Sequence, residues 1–316
     1  MQTVLIAGGA GFIGTHLCES LLSDNFRVIC VDNLVTGDRK NVEPLLKNLN
    51  FVFIEEDVVK PLTIEENVDF IFHLASPASP NKNSPRSYIN FPIETLLVNS
   101  EGTRQLLDLA RKKNSKFLFA STSEVYGDPL VSPQEETYFG NVNPNGIRSV
   151  YDESKRFGEA ITMAYVRKFG LDARIIRIFN TYGPLMQKDD GRVVSDFICR
   201  AITNKPLVVF GNGKQTRSFC FVDDMVKGIK LAMFTEGTKG EVINLGNPDE
   251  RTVLDMAELI KKITGSTSEI VFEPLSKDDP KRRKPDIEKA KRILDWEPKV
   301  GIEEGLGNTV KYFKSV

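Results

Sequence analysis

The run Gly8-Gly9-Ala10-Gly11-Phe12-Ile13-Gly14 stands between an apolar segment, residues 4–7, and a stretch with helical periodicity, residues 12–22. A chain that passes from strand to helix on glycines at this spacing has few folds open to it. Without Cβ atoms the backbone turns sharply, packs closely against the helix, and comes within reach of a pyrophosphate resting on the positive helix N-terminus. A plain strand–helix turn would use the same glycines. Here an acid, Asp32, closes the next apolar run 18 residues after Gly14. A carboxylate in that place accepts both ribose hydroxyls of a dinucleotide and repels a 2′-phosphate, which favours NAD as the cofactor. Arg39 and Lys40 close by would tolerate NADP.

The alternation continues down the chain. Apolar runs at 27–32, 51–54, 69–74, 116–120 and 173–178 are spaced by helix-period stretches such as 94–112 and 151–169. Continuous apolar strands between amphipathic helices predict an α/β fold with a doubly wound parallel (Rossmann) sheet. After about residue 180, loops rich in glycine and proline and short strands at 207–210, 242–245 and 270–272 predict a smaller α/β region. The expected division is an NAD-binding domain over 1–179, with a segment near 218–243 returning to pack on it, and a C-terminal substrate-binding domain over 180–316. The charge-rich stretch 277–292 reads as a solvated loop and helix face.

A length of 316 residues is ample for that core, and 42 basic against 43 acidic side chains leave no net field to hold nucleic acid or an anionic membrane. Four scattered cysteines without a C-x-x-C pair, and two histidines, point to reduced thiols and no metal site. No apolar run approaches the ~18 residues of a membrane span and no basic leader precedes the first strand, so a soluble cytoplasmic protein is expected.

Two stretches carry chemistry. Ser121-Thr122-Ser123-Glu124 places three hydroxyls and a carboxylate where the run 116–120 would simply stop. Tyr151 and Lys155, four apart at the start of a helix, share one face. An ammonium beside a phenol favours the phenolate, so the Tyr151 pKa is expected to fall from about 10 toward neutrality. Tyr151 is then a general base for an alcohol, and Lys155 also holds the nicotinamide ribose. Tyr–Lys pairs at this spacing are frequent on surface helices. What raises this one is its place downstream of the 121–124 step in a chain that begins with a dinucleotide turn.

Gly8-x-x-Gly11-x-x-Gly14, the Thr122 step and Tyr151-x-x-x-Lys155 together resemble the extended short-chain dehydrogenases/reductases, the NAD-dependent epimerase/dehydratase group that works on nucleotide sugars. The strings "HLASPASP", "DGRVVSDFI" and "RRKPDI" are similar to the UDP-glucuronate decarboxylases within that group. The resemblance implies oxidation of the sugar C4 hydroxyl, loss of CO2 from the resulting β-keto acid, protonation at C5 and re-reduction of C4, turning UDP-glucuronate into UDP-xylose. It assigns Tyr151, Lys155 and Thr122 to C4, and Glu124 to the chemistry at C5 through water. Cofactor contacts are expected at Gly8, Gly11, Phe12, Ile13, Gly14, Asp32, Asn33, Thr36, Gly37, Asp57, Val58, Leu74 and Ser76, besides Tyr151 and Lys155. Contacts with the UDP-sugar are implied at Asn180, Arg192, Val193, Val208, Phe210, Gln215, Arg217 and Arg283. Guanidinium forks suit phosphate and carboxylate, and Arg283 is the one expected nearest the sugar carboxylate or diphosphate. A homodimer through helices near 94–112 and 151–169 is implied as well.

Two departures stand out. Segment 81–98 is longer than the resemblance implies, beside the place where the substrate carboxylate would enter, and Ser154 replaces a glycine and is expected to face away from Tyr151 and Lys155. Rival activities fit less well. A 4,6-dehydratase is helped by an acid at position 123 to expel a C6 hydroxyl, and Ser123 is a poor donor. A 4-epimerase leaves "RRKPDI" unexplained. A dinucleotide sensor has no use for Thr122, Tyr151 and Lys155. A decarboxylase that releases the 4-keto pentose stays open.

Overall fold

Every residue of β1 (Thr3–Ala7) is buried, because apolar layers cover both faces of the strand: Val4 and Ile6 enter one core cluster, Leu5 and Ala7 the other. The computed structural model describes residues 1–274 and 282–316. β2 (Arg27–Val31), β3 (Phe51–Ile54), β4 (Phe70–His73), β5 (Lys116–Thr122) and β6 (Ala173–Ile178) follow the expected alternation. With the strand Val242–Leu245 they make one seven-stranded parallel sheet, in the order Val242–Leu245, β6, β5, β4, β1, β2, β3. Strand progression reverses between β1 and β4. In sheets of this kind ligands bind in the crevice outside the C-terminal strand ends at such a reversal.

Val242–Leu245 thus lengthens the main sheet beyond β6 instead of belonging to the smaller region. The helix Val222–Phe234 carries the chain back to it, packed against the helix Phe12–Ser23, with Lys230 Nζ donating to Ser20 Oγ at 2.7 Å. β5 runs two residues past its expected end, Ser121 and Thr122 pairing with Arg177 and Ile178 of β6. The long helix expected over 94–112 is interrupted: Pro92–Leu97 and Thr103–Lys113 are joined by a π-helical turn, Val98–Gly102. A π turn re-aims a side chain within a helix. Here Asn99 is fully buried, and its Nδ2 donates to Ser76 Oγ (2.9 Å) and Ser154 Oγ (3.0 Å). Ser154, 2% exposed, is thus a buried anchor between two helices.

The remaining strands form small separate sheets. Leu207–Phe210 pairs with Ile270–Glu273, and Thr216–Ser218 lies between Glu250–Thr252 and Arg282–Arg283. Within the charge-rich stretch, residues 277–281 lie outside the described residues, and the expectation of a solvated face fails at Arg283, which is 1% exposed. Among the described residues, no helix is long and apolar enough to cross a membrane, and no group of three or more His, Cys, Asp or Glu is placed to hold a metal ion.

Candidate active site

β1 gives way to Gly8 at φ +82°, where a Cβ would lie 2.6 Å from the Ala75 nitrogen, and a Cβ on Gly14 would sit 2.1 Å from the Gly8 carbonyl oxygen. No side chain fits at either position. The helix Phe12–Ser23 starts without a side-chain cap and without an acidic residue in its first turn, so its N–H groups and positive end are left for an anion. Asp32, just beyond β2, is buried, and its carboxylate accepts from Ala10 N (3.0 Å) and Leu34 N (2.9 Å). Burial pushes its pKa up, against those two hydrogen bonds.

Leu74 leaves β4 on a hydrogen bond to Ala7 O, 2.8 Å, beside the glycine turn. Asp57 accepts from Val59 N at 3.0 Å, next to the buried Val58. Asn33 accepts from Val35 N at 3.2 Å. The Thr36 and Gly37 carbonyls receive Arg86 Nη1 (2.9 and 3.3 Å), and Arg86 also reaches Asp189 at 3.3 Å. The long segment thereby ties the loop after β2 to residues 187–191. An uncapped helix, two glycines that no side chain can replace and a carboxylate at the end of β2 fit a dinucleotide.

The reacting edge is built where β5 passes into the short turn Ser123–Tyr126. Thr122 Oγ1 accepts from Glu124 N at 3.2 Å and hydrogen-bonds the Tyr151 phenol. Tyr151 comes from the helix Ser149–Phe169, whose buried face also carries Asp152, Ser154 and Lys155. Lys155 is 2% exposed; it donates to Ala120 O at 2.8 Å and lies 5.0 Å from the Phe119 ring centre. The expected fall in the Tyr151 pKa is not what the geometry yields. Burial pushes the phenol up, the Thr122 hydrogen bond only partly opposing it, and burial also lowers the Lys155 ammonium to about 7, against the pull of Glu159. Desolvation is the largest effect on each member of the pair.

Glu124 is the electrostatic centre. Its carboxylate pairs with Arg148 and with Arg283 (3.1 Å), and Arg283 also donates to Ser123 O. Burial alone would raise its pKa, but the guanidiniums of Arg283, Arg148 and Arg217 hold it down to about 2. Arg217 lies beside Arg283 because Thr216–Ser218 pairs with Arg282–Arg283 in parallel register. Burial and these two like-charged neighbours lower the pKa of Arg283, with Glu124 opposing. Arg192 forms a two-pronged pair with Asp190, both contacts 2.6 Å, and its charge is felt at Tyr151.

Thr122, Glu124, Tyr151, Arg192, Arg217 and Arg283 thus meet in one electrostatic cluster, with Lys155 Nζ 5.8 Å from the Tyr151 ring centre. The other expected residues surround it less directly. Asn180 O accepts from Cys220 N (2.9 Å), Val193 opens the helix Val193–Ile202, Val208 and Phe210 belong to the strand Leu207–Phe210, and Gln215 is folded back on Phe210 O at 2.7 Å. Two residues of the cluster were not foreseen. Arg148 precedes the helix in an unremarkable loop. Tyr88, 1% exposed, lies flat on Tyr151 with ring centroids 4.9 Å apart and planes at 5°, and its hydroxyl has no partner among the described residues. The only available signal was the unexpected length of segment 81–98.

Residues 4–246 match the NAD dependent epimerase/dehydratase family. UDP-glucuronic acid decarboxylase 1 of Danio rerio is 50% identical over 312 residues, 99% of this chain and 72% of that protein. The UDP-glucose 4-epimerase of Thermotoga maritima, solved with UDP-glucose, has a TM-score of 0.89 at 32% identity, covering 99% of each chain. The UDP-glucuronic acid 4-epimerase of Bacillus cereus, solved with UDP-glucuronic acid and NAD, reaches 0.86 at 29% identity over 99% of each chain. By sequence over most of its length, and by a sheet and strand-end site of the matching kind, this chain belongs to the NAD dependent epimerase/dehydratase family.

Proposed function

We propose that this protein binds NAD and converts UDP-glucuronate to UDP-xylose and CO2. One observation carries the reading: an ionised Glu124 set among Arg148, Arg217 and Arg283, next to the Thr122–Tyr151 pair. Three guanidiniums against one carboxylate leave surplus positive charge, which suits a substrate bearing a diphosphate and a carboxylate. The 50% identical Danio rerio relative, named a UDP-glucuronic acid decarboxylase, supports it.

The Gly8–Gly14 turn, the helix start and Asp32 would hold NAD, which would supply hydride acceptance at C4 and its later return. Tyr151 takes the C4 hydroxyl proton as the ketone forms and gives one back when the hydroxyl is remade, while Thr122 hydrogen-bonds the same oxygen. Beside the 4-ketone the C5 carboxylate is a β-keto acid; its C–C bond breaks with the electron pair passing into a C4–C5 enolate. Glu124, ionised, orients a water toward C5. Ser123 offers no acid to a C6 oxygen, which turns the site from dehydration.

NMR of the pure protein with UDP-glucuronate is expected to show UDP-xylose and CO2. A C4 epimer without CO2, accumulating 4-keto pentose, or no reaction would overturn the reading. The same reading includes a homodimer. Ile93, Leu96, Leu97, Phe157 and Phe169, on the helices Pro92–Leu97 and Ser149–Phe169, are 37–60% exposed apolar side chains that a second copy would cover. Light scattering is expected to give twice the 35.4 kDa chain mass, and Phe157→Asp to shift it toward one; a monomeric wild type sinks the dimer.

A further inference from the structure

Asp152 is a buried carboxylate that the steps above leave without a task. It lies in the first turn of the helix Ser149–Phe169, 6% exposed, and its Oδ1 has no hydrogen-bond partner among the described residues. A buried acid oxygen left unpaired forfeits its hydration with nothing in return, so such atoms are rare and call for a reason. Beside it opens a cavity of about 60 Å3 whose wall includes Asp152, Glu124, Arg148, Asp128, Asn141 and Asn143. At about 30 Å3 each, roughly two waters fit. Asn141 and Asn143 are exposed, so the cavity leads from solvent to the carboxylate at the end of β5.

Decarboxylation consumes one proton for each CO2 released, and that proton must reach C5. Glu124 has none to give, because Arg283, Arg148 and Arg217 keep it ionised against burial. Asp152 is in the opposite condition: burial, and then the charge of Glu124, push its carboxyl up to about 8, against Arg148 and Arg283. The other titratable groups facing it are Glu153 and Tyr151 on its own helix, Tyr88 on the long segment, and Asp128 across the cavity. Through neutral pH it carries a proton.

We propose that Asp152 is the proton relay for C5, passing its proton through water in the cavity it shares with Glu124 and recovering one from solvent past Asn141 and Asn143. The C–CO2 bond breaks and its electron pair enters the enolate. C5 then takes a proton from a cavity water, that water takes the proton of Asp152, and Asp152 takes one from bulk water. Charge and atoms balance with one proton drawn from solvent per turnover. The role rests on the decarboxylation reading, and Asp152 acts through water without touching the sugar.

The test compares Asp152→Asn and Asp152→Glu with the wild type, following C4 oxidation by nicotinamide absorbance and UDP-xylose by NMR across pH. For the wild type, product formation is expected to fall as pH rises past about 8. In Asp152→Asn it is expected to be about 10²-fold slower, to lose that alkaline limb, and to leave C4 oxidation within a few-fold of normal. Asp152→Glu, which restores the acid, is expected to recover much of the rate and the limb. An Asp152→Asn rate within two-fold of wild type, with the limb intact, overturns the relay while leaving decarboxylation standing. Equal loss of C4 oxidation and product in both variants assigns Asp152 a structural role and overturns it too. If the wild type releases no CO2, the functional reading fails first and the relay falls with it.

Discussion

Tyr151→Phe is expected to reduce turnover of UDP-glucuronate by about 10³-fold or more, within the range that a positioned general base contributes. The change removes one oxygen and leaves the ring, so the stack on Tyr88 at 4.9 Å and the burial of the helix face persist. Thr122 loses one hydrogen-bond partner, which costs at most about 1 kcal/mol of stability. Unfolding by denaturant should therefore stay within about 1 kcal/mol of wild type, and dinucleotide binding by fluorescence should match it, while activity collapses. A variant with near-normal rate would remove Tyr151 from the mechanism. Burial holds the phenol protonated in the protein alone, so ultraviolet titration without added ligands should show no phenolate at neutral pH. The base must therefore be made by charge that enters with the ligands, and turnover tests this more sharply than titration of the free protein.

The cofactor half of the molecule was legible in the sequence because steric exclusion is local. Gly8 and Gly14 cannot carry a side chain, Asp32 ends an apolar strand, and both facts are written in runs of a few residues. The alternation of apolar runs likewise fixed six of the seven sheet strands and their parallel sense, leaving Val242–Leu245 to be recruited by a helix whose docking only tertiary packing decides. The substrate half was legible only by likeness. Arg217 and Arg283 are 66 residues apart and become neighbours through a two-residue strand that no pattern announces. Arg148 and Tyr88 reach the cluster on loops. The direction of the Tyr151 shift was misjudged because spacing reveals proximity and conceals desolvation, and desolvation is the largest effect on the phenol.

Arg283→Met is the other change expected to act strongly. The side chain is 1% exposed, so methionine keeps most of the volume while the guanidinium and its contacts to Ser123 O and Glu124 are lost. With one of three cations gone, kcat/KM for UDP-glucuronate should fall about 10²-fold, the ~3 kcal/mol that hydrogen bonds to charged partners carry. The pH dependence supplies an independent reading. Glu124 is depressed in the folded protein from its ordinary value near 4.5 to about 2, so its ion pairs stabilise the fold fully above about 4.5 and are lost as pH falls through 2. Removing Arg283 raises the folded pKa, so a smaller stabilisation remains to be lost below about 4.5 and its loss is complete at higher pH. The variant should be less stable than wild type near neutrality, with the gap closing as pH drops from about 4.5 to 2. Adding Glu124→Gln should abolish both the gap and its pH dependence, since the acid that needed the cation is gone. Equal stability of wild type and Arg283→Met at neutral pH, with unchanged kcat/KM, would mean that Arg148 and Arg217 alone hold Glu124 and that Arg283 serves neither fold nor substrate.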